Sequence, residues 1–281
     1  MQTLHIDQVR ALFKLLETES EHYRPILKQA LSSAIKTNPR AVEQVLKEDF
    51  PERAPLPVVQ TLEEICWDDL ADSLAKFSAK INPDLEEGLS LVAKFTAPTT
   101  ARGKISQPLD EISMEIRSAV LNAKNYREIA VELGKFIFSV KNFTVLPSVK
   151  TIKELSFPHF LAKKQGSALC AACLYACIGT RFGMNMEIVD MAGRILLYLQ
   201  DLSHQDSFFI DPLDNGKILS REDCQTYLRS RNLSWDENTF FILSSRLIVR
   251  RFLANMIYIL NKLGDNRRLT YLRNYLEIIK N

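Results

Sequence analysis

Long uninterrupted apolar runs are missing from this 281-residue chain, and so is any strong bias of charge. Charge breaks each apolar stretch well before the ~18 residues that would suggest a membrane span. The first residues carry no basic n-region, apolar core and small-residue cleavage site of the secretory kind, so we expect a cytoplasmic chain. Lysine and arginine total 36 against 34 acids, a net charge of +2. That balance leaves no bulk electrostatic footprint pointing to nucleic acid or to a membrane surface. Five cysteines in a cytosolic chain of this size do not make a disulfide framework. What remains is an ordinary globular balance, 46% hydrophobic and 25% charged. At roughly 100–200 residues per domain, the length suggests two compact units.

The first half reads as helix throughout. Leu12, Leu15 and Leu16 follow Asp7, a plausible cap, and a second apolar pattern runs from Ser20 through Ile35 to Asn38-Pro39. A third carries Val42, Val45 and Leu46. Together they resemble a helical-repeat hairpin, too short for a solenoid, which needs about three repeats. Three prolines between Phe50 and Pro57 read as a linker. Further helices are expected over Val58–Phe77, after Asn82-Pro83-Asp84, over Gln107–Leu121 and over Asn125–Phe138. No Gly/Ser-rich tether separates Phe138 from Gly166, so these helices should pack on the second half of the chain rather than swing free.

Beyond Gly166 the pattern changes. One helix over Ser167–Phe182 ends at Gly183, a residue suited to a left-handed cap. Three short apolar runs, Met186–Asp190, Arg194–Gln200 and Ser207–Ile210, predict strands of one antiparallel sheet. Ser220 and Asp223 suggest a capping box, and helices return over Leu247–Leu263 and Leu269–Ile279. The class is therefore α+β and mostly helical.

Several segments, in order, resemble the bacterial SirB-type transglutaminase-like family. They are Asp84-Leu85-Glu86-Glu87-Gly88, then Lys164-Gln165-Gly166-Ser167-Ala168 with Arg181-Phe182-Gly183, then Phe209-Ile210-Asp211-Pro212-Leu213, then Arg251-Phe252-Leu253-Ala254-Asn255. The resemblance covers about Asn82 to Asn281. It implies a helical N-terminal domain over 1–150, with a repeat-like hairpin in 1–50. Next to it are implied a degenerate transglutaminase-like core over 151–232 and a tetratricopeptide-like tail over 233–281. The resemblance also implies a cysteine–histidine–aspartate site, in which a thiolate at a helix N-terminus is served by an imidazole that an aspartate orients. Asp211 matches the aspartate. Cys170 lies in the first turn of the core helix, near the nucleophile position but where the family usually has serine. The histidine position, in Ala192-Gly193-Arg194-Ile195-Leu196, holds Arg194. Arginine stays protonated, with a pKa above ~12, and cannot be a general base.

Cys170, Cys173 and Cys177 share one helical face with Leu174 and Ile178, the pattern of small buried hydrophobes. Their spacing would spread three sulfurs along a helix rather than gather them round a metal or cluster. His159 and His204 are the histidines that could approach Cys170 in space. Asp211 to Glu222 superficially resembles a calcium loop, but Leu213 offers no ligand oxygen, and Asn215-Gly216 reads better as a tight turn. No cofactor or metal is expected. Arg246, Arg250, Arg251, Arg267, Arg268 and Arg273 concentrate positive charge in the tail. They suggest a solvated face, or an acidic protein partner meeting Arg246, Arg250, Arg267 and Arg268. The reading is a non-catalytic transglutaminase-fold interaction module. The alternative is a thiol hydrolase or acyl-transferase using Cys170 with a relocated base.

Overall fold

The structure is a computed structural model that describes residues 5–18, 22–52, 54–97, 105–201, 206–236 and 239–279. The chain divides into two compact units, Met1–Asp72 and Ser73–Asn281. The first is helical: α1 (Ile6–Thr18), α2 (Arg24–Thr37), α3 (Pro39–Asp49) and α4 (Leu56–Ala79), the last to Asp72. Asn38 starts α3 by accepting from the Ala41 N–H, and Pro39 takes the first position, where no N–H is needed. The apolar stripes read in the sequence close on one core of Val9, Phe13, Leu31, Val42, Val45, Val58 and Leu62. Pro57 sits inside the first turn of α4, so the linker ends two residues earlier than its prolines suggest.

The second unit adds α5 (Leu85–Thr96), α6 (Ser106–Val120) and α7 (Tyr126–Gly134), the last widening into a π-helical turn over Lys135–Val140. A parallel pair, β1 (Thr144–Val145) and β2 (Gln165–Gly166), brackets a 3-10 turn at Ile152–Leu155 and α8 (Phe157–Lys163). Then come α9 (Ala168–Arg181), β3 (Met186–Met191), β4 (Arg194–Asp201), β5 (Asp206–Asp211) and β6 (Lys217–Leu219). Last are α10 (Arg221–Arg229), β7 (Phe240–Ile242), α11 (Ser245–Leu263) and α12 (Asn266–Ile278). The helices between 85 and 140 thus lie in the same unit as the sheet, where α5 and α6 pack on α9.

The five-stranded sheet is antiparallel, in the order β6-β5-β4-β3-β7. Alternation divides its side chains between two faces. Met186 and Ile188 lie opposite Leu199 and Leu197, and Met186 packs on α9 where Gly179 leaves no Cβ. Asp190 shares that face and pairs with Arg251 of α11 at 3.0 Å. On the other face Val189, Met191, Leu196 and Phe209 form a core with Cys224 and Leu228 of α10. The sheet is therefore layered between α9 with α11 on one side and α10 on the other. Strands β6 and β7 escape pattern reading because each is only three residues long. The capping box at Ser220 and Asp223 forms reciprocally, and Gly264 closes α11 in the left-handed conformation at φ +70°.

Asn215 and Gly216 both have positive φ, +52° and +79°, and turn the chain from β5 into β6. Gly216 lies against the Tyr175 hydroxyl, which is fully buried and has no hydrogen-bond partner among the described residues. A Cβ at 216 would overlap that hydroxyl and come within 3.2 Å of the Gly134 Cα. Gly216→Ala should therefore cost about 2–4 kcal/mol, the sum of left-handed strain and overpacking. Tyr175→Phe should recover part of the loss in that background and be neutral or stabilising alone, since it removes an unsatisfied polar atom. Urea denaturation of the four proteins tests this; a loss that Tyr175→Phe leaves untouched would place the clash elsewhere.

Candidate functional site

Helix α9 begins at Ser167, whose hydroxyl accepts from the Cys170 N–H at 3.2 Å. The same hydroxyl donates to the Cys170 sulfur at 3.3 Å, and the thiol points toward the Glu154 carbonyl at 4.0 Å. Every residue from Leu169 to Gly179 is buried. Burial pushes the Cys170 thiol up to about 12, and the two Ser167 hydrogen bonds only partly oppose it. Desolvation raises Cys173 and Cys177 as well. A helix N-terminus favours an anion by about 0.3–1 kcal/mol at the surface. Full burial costs a lone thiolate several times that, so desolvation wins here.

Arg194 opens β4 and lies opposite Met191, on the sheet face that packs against α10. Leu196 would pair with Asp211 if the β4–β5 register were continued, so Arg194 and Asp211 share that face diagonally. The guanidinium pairs with Asp211, whose side chain is 0% exposed against 25% for Arg194. The other Asp211 oxygen accepts the Leu213 N–H at 2.9 Å. Arg194 also lies 4.7 Å from the centre of the Tyr227 ring, and Arg231 lies at the same distance from that ring. The structure thus brings Arg194 and Asp211 together and leaves Cys170 on α9, which packs against the opposite face.

The thiol that feels this ion pair is Cys224, in α10. Desolvation, then Asp223 and Asp211, raises it to about 12, and Arg194 opposes them. Neither Cys224 nor Tyr227 stands out in the sequence. Their shared stripe with Leu228 on a short capped helix is the signal that could have found them. His159 sits half-buried in α8, lowered mainly by burial and by the charges of Lys153 and Lys163. It is not among the hydrogen-bond partners of Cys170. His204 lies outside the described residues. No cluster of three or more metal-ligating side chains gathers among the described residues.

The model of the transglutaminase-like superfamily matches residues 103–254, more than half of the chain. The chain belongs to the transglutaminase-like superfamily. No curated protein and no solved structure matches it. In this transglutaminase-like protein the tail arginines are engaged internally. Arg246 donates to the carbonyls of Ser78 (2.9 Å), Lys80 and Ile81, closing the end of α4. Arg250 donates to the carbonyls of Leu276 and Ile279, and Arg268 pairs with Asp265 at 3.3 Å. Arg267 also has a partner within the chain. No described helix is long and apolar enough to cross a membrane.

Arg194→Ala should leave Asp211 buried and uncompensated, destabilising the fold by about 3 kcal/mol, whereas a surface pair would give ~0–1. Chemical denaturation at neutral pH checks this, and a loss below ~1 kcal/mol would show that water reaches Asp211. The thiols give a second test. A thiol raised on folding stabilises the protein below its unfolded value near 9 and loses that contribution as pH rises toward its folded value, about 12 for Cys170 and Cys224. Stability should therefore fall above about pH 9, and Cys→Ala variants at 170 and 224 should flatten that slope. Of the five cysteines, only half-buried Cys66 should react quickly with an alkylating reagent at pH 8. Rapid native labelling of Cys173 or Cys177 would show that the helix is not sealed.

Proposed function

We propose that this chain is a SirB-type transglutaminase-fold protein that binds rather than catalyses, a protein-interaction or regulatory module of the cytoplasm. One observation supports the reading: Arg194, which the resemblance sets at the family's histidine position, is committed to the buried Asp211. A guanidinium cannot take a proton near neutral pH. The nucleophile position is equally unsuited. With the Cys170 thiol near 12, about one in 10⁵ would be ionised at pH 7, and the thiolate is the reactive form. A thiol hydrolase or acyl-transferase would need an imidazole beside the sulfur, where Ser167 and a carbonyl stand instead.

An acidic protein partner belongs to the same proposal. Arg246 and Arg250 spend guanidinium donors on backbone carbonyls, so its seat must be sought where cations are left uncommitted.

The test is turnover of an activated ester, a peptide amide and a glutamine–amine pair by wild type, Cys170→Ala and Arg194→His. We expect no turnover above the Cys170→Ala background, and none created by Arg194→His, because an imidazole at 194 would share its face with Cys224. Cys170→Ala should lose only about 1 kcal/mol of stability. Wild-type turnover abolished specifically by Cys170→Ala would overturn the reading in favour of a thiol enzyme.

A further inference from the structure

A groove of about 600 Å³ opens beside the start of α9. Ser148, Val149 and Lys150 form one wall, Leu155 and Ser167 the floor, and α11 the other wall through Asn255, Tyr258, Ile259, Lys262 and Leu263. Its size falls in the ~300–1,000 Å³ range of ligand sites. Tyr258 is 62% exposed and Leu263 66%, so the apolar surface continues out of the groove onto the face of α11. Large side chains in that state mark a contact surface more often than scattered exposure does when they line one concavity.

Charge decides what fits. Lys150 and Lys262 both line the groove, and neither ammonium has a carboxylate partner among the described residues. Lys262 instead lies 4.2 Å from the centre of the Tyr258 ring, which joins the cation to the apolar wall. Lys80, Lys135 and Lys141 of the same unit meet Glu87, Glu132 and Glu115, so Lys150 and Lys262 belong to the lysines whose charge is available to a partner. Asn255 supplies the third element. Its amide has no partner among the described residues, and it can donate one bond and accept another. That pair of bonds matches a peptide unit, which offers one C=O and one N–H, whereas an acyl chain offers neither.

We propose that this groove seats an acidic, apolar peptide segment of a protein partner. Carboxylates meet Lys150 and Lys262, an apolar side chain lies against Leu155 and Ile259, and Asn255 brackets the backbone. An open groove continuing onto a helix face suits a segment of chain better than a single acyl chain, which would call for enclosure. The proposal rests on the binding-module reading and names the chemistry of its partner. The ion pair on the α10 face plays no part in it.

The experiment measures fluorescence polarisation of labelled eight-residue peptides with the full-length protein. Peptides alternating aspartate with leucine or phenylalanine are compared with lysine-for-aspartate and serine-for-apolar versions, at 50 and 300 mM salt. We expect the acidic apolar peptide to bind, weaken several-fold in the higher salt, and lose at least tenfold when either its acids or its apolar residues are replaced. Lys150→Glu with Lys262→Glu should reverse the preference toward the lysine peptide. Tyr258→Ala and Asn255→Ala should each weaken binding by about tenfold. All four residues are at least partly exposed, and unchanged circular dichroism and melting would confirm folding. Absence of acidic-peptide binding, an equal affinity for the lysine peptide, or displacement by dodecanoate at a fixed one-to-one ratio would overturn the proposal. Failure here with no Cys170-dependent turnover removes only the groove, whereas turnover removes the binding-module reading itself.

Discussion

Helix α9 is the constraint around which the second unit is built. Its sequence offers no polar face, and an α-helix apolar on all sides must be enclosed on all sides. Enclosure needs small side chains where neighbours approach closely. Ala171, Ala172, Ala176 and Gly179 supply them, with Gly179 yielding space to Met186 of the sheet. The cysteines belong to the same requirement, because a thiol is a compact apolar group. Burial that stabilises the unit also raises the three α9 thiols. The sheet, α5 and α6 take their positions from this helix.

The second consequence lies across the sheet. Asp211 ends β5 with no exposed surface, and an isolated buried carboxylate is costly enough that a partner is needed. Arg194 supplies it while stacking on Tyr227, so its charge is shared between a carboxylate and an aromatic face. Breaking such a pair is more damaging than never having had it, because one ion is left behind. The pair therefore works as a fixture joining β4, β5 and α10. A proton shuttle would require a group that can give up its charge, and this position needs one that cannot.

Much of this was legible in the sequence because it is local. Ser220 with Asp223 announces the start of α10, and Gly183, at φ +75°, follows the end of α9 as its pattern suggests. The three strands over 186–211 follow from their short apolar runs and polar turns. What could not be read is which face each residue joins when helices cover both sides of the sheet. The family resemblance places Arg194 beside Cys170, yet the strand register turns it toward α10 and Cys224. The internal bonds of the tail arginines were hidden for a similar reason: sequence shows a cluster of charge but not the helix ends waiting for donors. Arg246 and Arg250 satisfy carbonyls that helix geometry leaves open. The two lysines that line the groove, Lys150 and Lys262, lie 112 positions apart in the numbering and form no run that a scan could notice.

These facts explain why arginine, rather than some other residue, stands at position 194. Histidine there would compensate Asp211 only while protonated, and with an ordinary pKa near ~6.5 it would be largely neutral above pH 7. In an enzyme that lability is the function, and the occasional uncompensated aspartate is tolerated for the sake of proton transfer. At a buried aspartate, a labile partner charge brings the cost of an uncompensated ion. A guanidinium carries a permanent charge, so Asp211 keeps its partner. The Arg194 guanidinium bonds the carboxylate while its central carbon lies 4.7 Å from the centre of the Tyr227 ring.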